Sequence, residues 1–236
     1  PRVQFFFKNP ISDGGTFCGL SDLAEKYGVV PMEAMPETYS AENTSRMAKI
    51  VSSKLREYGL DVRFMPHALM GVDHVKAHPE KRAEDLLEAF RDPEIDMILC
   101  AIGGDDTYRL LPHLFDHNEL AHAVADKVFL GFSDTTINHL MLHKVGLSTF
   151  YGQAFLPDVC ELGPEMPPYT RKHFEELIST GTIREVTPSD TWYEERRSFT
   201  PDQVGEPLTA LPDHGFELLQ GPPVFSGRVL GGCIDS

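Results

Sequence analysis

Met97-Ile98-Leu99-Cys100-Ala101-Ile102-Gly103-Gly104-Asp105-Asp106-Thr107-Tyr108-Arg109-Leu110-Leu111-Pro112 joins an apolar run to a glycine pair, two aspartates, a threonine and a leucine-rich segment. Six apolar residues in succession read as a short strand covered on both faces, the pattern of a parallel sheet. The glycines give a tight turn, and Leu110, Leu111 and Leu114 mark a helix with Pro112 near its first turn. Strand, turn and helix in that order place the turn at the carboxyl end of a strand, where open α/β sheets bind ligands.

The neighbouring segments extend the same alternation. Upstream, Ala83, Leu86, Leu87 and Phe90 fall on one face of a helix that starts near Pro79 and stops at Pro93. Asp61 to Met65 reads as a strand. Before it, Met47, Ile50, Val51 and Leu55 mark a helix from Asn43 to Gly59. Downstream, Val128 to Phe132 is a second apolar strand. Ser133-Asp134-Thr135-Thr136 then opens a helix carrying Ile137, Leu140 and Met141, closed by Gly146, and Ser148 to Tyr151 is a further strand. The expected fold is α/β, a doubly wound and mostly parallel sheet of flavodoxin or Rossmann type. Phe5 to Phe7 is a candidate strand with a turn at Ser12 to Gly15, and 16–42 is ambiguous around Gly28, Pro31 and Pro36.

The texture changes after Pro157. Nine of the 18 prolines lie from Pro164 onward, a density that regular packing does not tolerate. One helix is legible there, around Arg171 to Ile178, and Phe225 to Gly232 reads as a strand. The expected organisation is an α/β domain over 1–157, a Pro-rich linker over 158–224, and the start of an incomplete C-terminal domain over 225–236. Residues 1–45 are atypical of such a domain.

Composition removes several function classes. The chain has 236 residues, 41% hydrophobic and 24% charged, too apolar for a disordered segment. No apolar run approaches the roughly 20 residues of a membrane span, and the Phe5–Phe7 patch is too short for a signal sequence. With 36 acidic and 21 basic residues and a net charge of −15, nucleic acid is not an expected partner. Cys18, Cys100, Cys160 and Cys233 form no CxxC pair, which speaks against a zinc or thioredoxin-type site, and four cysteines in 236 residues are no disulfide scaffold, so a reducing compartment fits.

The turn at 103–107 supports several readings. As a nucleophile elbow it would expose the Thr107 hydroxyl, with the Tyr108 backbone amide as an oxyanion donor. The plainer reading has Asp105, Asp106 and Thr107 cap a helix. Gly-Gly-Asp with a nearby Thr is also similar to the GGDGT signature of the NAD-kinase and diacylglycerol-kinase families, although Asp106 stands where that signature has Gly. His113 with His117, and His139 with His143, have the i,i+4 spacing of metal pairs. Neither has an accompanying HExxH-type Glu, and ordinary helix histidines are the simpler reading. No metal or cofactor is expected. Glu194-Glu195-Arg196-Arg197 reads as a solvated face. Trp192 and Tyr193 are anchor aromatics of the irregular stretch, or pocket-lining ones by the family resemblance given below, Arg109 is a substrate-carboxylate contact or a surface residue, and Asp134 is an elbow-orienting group or, more plainly, a cap.

Four segments taken together resemble one family. Arg82-Ala83-Glu84-Asp85-Leu86 to Ala89-Phe90-Arg91-Asp92-Pro93, Ala101 to Pro112, Phe129-Leu130-Gly131-Phe132-Ser133-Asp134-Thr135-Thr136 with Gly146 to Gly152, and Gly227-Arg228-Val229-Leu230-Gly231-Gly232 resemble the LD-carboxypeptidase family of serine peptidases, most closely its microcin C immunity (MccF-like) branch. The resemblance runs from about Leu55 to Gly232. It implies a serine-type carboxypeptidase or amidase, cytoplasmic and homodimeric. Such an enzyme hydrolyses an amide next to a free carboxylate, in a murein tetrapeptide or a peptide-nucleotide of microcin C type, without a metal. Thr107 then occupies the nucleophile position, and Gly103, Gly104, Asp105, Asp106, Ser133 and Asp134 are the substrate-binding positions. Two departures imply impaired turnover. The nucleophile position holds Thr rather than Ser, and the Glu and His of a Ser-His-Glu triad do not appear before Ser236. The alternatives are a non-catalytic α/β ligand-binding module and, behind it, the GGD-type phosphotransferase.

Overall fold

The structure is a computed structural model that describes residues 52, 53, 55–196 and 201–233. The candidate strand at Phe5–Phe7, the turn at Ser12–Gly15, the ambiguous 16–42 stretch and most of the Asn43–Gly59 helix lie outside the described residues.

A three-stranded parallel sheet in the order β1-β2-β3 forms the centre. Its strands are β1 (Met97–Leu99), β2 (Val128–Gly131) and β3 (Phe150–Tyr151). Met97 pairs with Val128, Leu99 with Leu130, and Leu130 with Phe150. Alternate side chains leave opposite faces, because a strand repeats every two residues. Ile98, Cys100 and Phe129 enter one core with Ala83, Leu87, Phe90, Leu110, Leu114, Leu120, Met141 and Leu142. Met97, Leu99, Val128, Leu130 and Phe150 enter a second core with Leu55, Val159, Cys160, Met166, Phe174 and Leu177. A sheet covered on both faces is the doubly wound arrangement expected from the apolar runs. Burial pushes the Cys100 thiol up to about 12, which makes it a core group and not a reactive one.

The first face is covered by α2 (Pro79–Arg91), α3 (Leu111–Phe115), α4 (Glu119–Ala123) and α5 (Thr136–Lys144), with the short α1 (Val72–Ala77) packed on α2. In α2, Pro79 sits at the start, and Ala83, Leu87 and Phe90 recur at helical spacing on the buried side. The helix stops at Asp92, whose backbone is extended at ψ 113, because Pro93 disfavours helical geometry in the residue before it. On the second face, Phe174 and Leu177 of α6 (Pro168–Thr180) are almost fully buried. An antiparallel pair, β4 (Thr191–Tyr193) and β5 (Ala210–Pro212), follows α6 in the chain.

Several expectations are corrected. Asp61 to Met65 is not a strand. Leu60, Val62 and Phe64 do alternate into the second core, but packing alone satisfies that pattern without a sheet ladder. The 97–102 run is a strand only as far as Leu99, and Ile102 is 57% exposed, because the chain has already passed the end of its partner strand. Phe225 to Gly232 has no regular structure, with Phe225 and Val229 exposed. A strand exists through its ladder partner, and this segment has none among the described residues. Arg196 does not lie on a solvated face. Its guanidinium is buried against Glu161, with Nε 2.6 Å from Oε1, and joins the end of the β4 segment to the loop before α6.

Candidate active site

Two turns meet at the carboxyl end of the sheet. One follows β1 through Gly103-Gly104-Asp105-Asp106 into a 3₁₀ turn at Thr107–Leu110. The other follows β2 through Phe132 into a 3₁₀ turn at Ser133–Thr135 and then α5. Parallel pairing of β1 and β2 brings the turns side by side, and the first has no side chain where the second comes closest. A Cβ on Gly103 would lie 2.7 Å from the Cβ of Ser133, too close for any non-glycine residue.

Asp134 joins the turns. Its Oδ2 accepts from the Thr107 hydroxyl at 2.6 Å and from the Thr107 amide at 3.0 Å. Both residues are buried, at 4% and 5% exposure. The expected exposed hydroxyl at Thr107 is therefore turned inward onto a carboxylate, and Asp134 orients the elbow and does not cap its helix. A short O–H···O⁻ bond to a buried carboxylate is among the strong hydrogen bonds. Asp106 precedes Thr107 without capping through its side chain. Arg82 of α2 holds its Oδ1 at 2.6 Å, and Arg109 lies 3.6 Å from its Oδ2 while donating to the Lys76 carbonyl. Arg109 thus braces the turn. Asp105 and Gly104 face solvent, and the Tyr108 side chain is 59% exposed.

Ser133 adopts φ +59, one of two described non-glycine residues with positive φ. Its amide donates to Tyr151 Oη at 3.0 Å, and its carbonyl accepts from Thr136 Oγ1 at 2.7 Å. Thr136 Oγ1 also accepts from the Cys233 amide at 2.8 Å. Tyr151, Thr136 and Arg82 belong to the site's framework, yet no local pattern marks them, since their partners lie on other elements.

The two histidine pairs do not converge. His113 and His117 are exposed. His139 is buried, with Nε2 3.1 Å from the Gly131 carbonyl and Nδ1 2.7 Å from Thr149 Oγ1, whereas His143 is exposed. Since a carbonyl only accepts, Nε2 of His139 carries the proton and Nδ1 accepts from Thr149. Burial lowers the His139 pKa from its ordinary value, partly opposed by the Gly131 carbonyl. Trp192 and Tyr193 lie in β4, away from both turns, and Trp192 is 49% exposed. Among the described residues no helix is long and apolar enough to cross a membrane.

Comparison with known proteins adds four findings. The profile of the LD-carboxypeptidase N-terminal domain, peptidase family S66, matches residues 35–152, half of the chain. An MccF-like protein from Streptococcus pneumoniae, solved in complex with AMP, is 55% identical with a TM-score of 0.74, over 76% of this chain and 52% of that one. The microcin C7 self-immunity protein MccF of Escherichia coli is 28% identical over 163 residues, 66% of this chain and 45% of that protein. Human bleomycin hydrolase is 36% identical over 84 residues, 36% of this chain and 18% of that protein. The chain therefore spans about half the length of the MccF proteins and a smaller share of the hydrolase. The 118-residue profile match takes in both turns of the site, and on it the chain belongs to the LD-carboxypeptidase family.

Proposed function

We propose that the protein is a serine-type LD-carboxypeptidase or amidase of the MccF-like branch, acting by acyl transfer at the paired turns. The observation that carries this reading is the buried Thr107–Asp134 pair. It supplies a hydroxyl with a proton acceptor 2.6 Å away at the carboxyl end of a parallel sheet. In the proposed step Thr107 Oγ1 attacks the amide carbonyl carbon, and its proton passes to Asp134 Oδ2. The C–N bond then breaks, the leaving amine taking that proton from Asp134, and water adds its hydroxyl to the acyl carbon and returns a proton to Thr107 Oγ1, releasing the acid. The Tyr108 backbone amide is the proposed oxyanion donor. Gly103, Gly104, Asp105, Asp106, Ser133 and Asp134 are the proposed substrate-facing positions.

The proposed substrate carries a free carboxylate beside the cleaved amide, as a murein tetrapeptide or a peptide-nucleotide of microcin C type. Support comes from the family and from the AMP bound by the streptococcal MccF-like protein. A cytoplasmic homodimer belongs to the same reading and rests on the family resemblance. To test it, the protein is expressed from its whole reading frame and incubated with both substrates, and the products are weighed by mass spectrometry. Release of the terminal residue, or of the aminoacyl group from the nucleotide, is expected. A folded protein that cleaves neither contradicts a hydrolase. The 4% exposure of Thr107 favours one second reading, a ligand-binding module. It predicts ligand-dependent thermal stabilisation without turnover.

A further inference from the structure

A second hydroxyl at this site, that of Ser133, is free to meet a ligand. Among the described residues nothing is hydrogen-bonded to Ser133 Oγ, and the residue is half-buried, whereas Thr107 is committed to Asp134. The Ser133 backbone is held at φ +59, a region unfavourable to residues with a Cβ. Non-glycine residues persist there only where their surroundings impose it. The imposing contacts are the Tyr151 hydroxyl on its amide and the Thr136 hydroxyl on its carbonyl.

Close packing around the turn has a second signature. Gly131-Phe132-Ser133-Asp134-Thr135 sets Gly131 two residues before the serine and Thr135 two after it. A Cβ on Gly131 would meet Thr135 Oγ1 at 2.8 Å and the Cβ of Cys100 at 2.9 Å. A glycine at that offset, crowded by the residue two beyond the serine, is the steric requirement of a sharp strand–serine–helix turn that presents Oγ above a sheet. The side chain so presented rests against the Gly103-Gly104 turn, because the Cβ that Gly103 lacks would lie 2.8 Å from Ser133 Oγ.

Two donors are thus uncommitted at one place. Ser133 Oγ–H has no acceptor among the described residues. Tyr151 Oη accepts the Ser133 amide, and its own proton has no acceptor closer than Thr136 Oγ1 at 3.5 Å. Both donors are neutral hydroxyls, which suit a carbonyl oxygen whose negative charge grows during the reaction.

We propose that Ser133 is a catalytic residue of this site, its hydroxyl donating to the carbonyl oxygen of the amide under attack and strengthening as that oxygen becomes an oxyanion. This rests on the hydrolase reading above. The test compares wild type, Ser133→Gly and Ser133→Ala on a murein tetrapeptide and a microcin C-type peptidyl-nucleotide, with melting temperatures measured alongside. Glycine accepts positive φ, so Ser133→Gly is expected to melt at or above wild type while kcat falls on the order of 10²-fold with KM little changed. Ser133→Ala is expected to lose the same kcat and to melt below Ser133→Gly, since it keeps the strain. Wild-type kcat in Ser133→Gly overturns the Ser133 role alone. A rise in KM at constant kcat overturns the transition-state assignment. Wild-type protein that cleaves neither substrate overturns the hydrolase reading and this role together.

Discussion

Thr107 and Asp134 lie 27 residues apart in sequence and share one carboxylate oxygen, Asp134 Oδ2, which accepts both the amide and the hydroxyl of Thr107. The contact ties the turn after β1 to the turn after β2, so the elbow's geometry depends on the neighbouring strand as well as its own. Thr107→Val keeps the β-branched shape and removes the hydroxyl. It leaves the buried carboxylate with one donor fewer and is expected to cost about 1.5–3 kcal/mol, the range for a hydrogen bond to a charged group. Urea unfolding measures it, and an unchanged midpoint would show that the bond contributes nothing to folding.

The abutment of Gly103 and Ser133 makes a coupling prediction. Gly103→Ala places a Cβ 2.7 Å from the Cβ of Ser133, and overpacking of this kind costs typically about 1–3 kcal/mol. Adding Ser133→Gly removes both crowding atoms. The double variant is expected to recover most of the loss, giving a coupling energy well outside the roughly 0.3–0.5 kcal/mol of independent sites. Additive losses would place the two turns farther apart than described here.

His139 gives the fold a pH dependence. Burial lowers its folded-state pKa below the ordinary 6.5, so the unfolded chain binds the proton first. The stability held by the neutral imidazole is therefore complete above 6.5 and lost as pH falls through the lower folded value. The stability difference between wild type and His139→Gln, followed from about pH 8 to pH 5, is expected to shrink at the acid end. A difference that grows on acidification would reverse the sign of the burial effect.

The Arg196–Glu161 pair is buried on both sides, at 5% and 8% side-chain exposure. Removing one partner strands a charge, and Arg196→Met is expected to cost about 3–5 kcal/mol in chemical denaturation. The double variant with Glu161→Leu is expected to regain much of that, because the desolvation penalty leaves with the second charge. Equal losses in the single and double variants would contradict this.

Much of the fold was legible because it follows from periodicity. Ala83, Leu87 and Phe90 pack where helical spacing puts them, and the β1 and β2 runs pair in parallel. Asp134 was harder, since N-cap residue types before a helix look alike whether they cap it or bond another element. Its partner is visible only once parallel pairing aligns two turns. Arg196 was misread because a run of four charges suggests a surface, and only the fold shows that Glu161 waits beneath one of them. Phe225 to Gly232 was misread because β-propensity describes a residue's fit to a sheet, and a strand also needs a neighbour. The positive φ of Ser133 has no sequence signal beyond the glycine two residues before it.

The most direct measurement is kcat/KM for hydrolysis of a murein tetrapeptide or microcin C-type substrate by wild type, Thr107→Ser and Thr107→Ala. If Thr107 supplies the nucleophilic hydroxyl, serine is expected to match or exceed wild type, since it keeps the hydroxyl and sheds a methyl that restricts χ1. Alanine is expected to fall on the order of 10³-fold or more. Alanine within about threefold of wild type, about 0.7 kcal/mol of barrier, would contradict a nucleophilic role for Thr107.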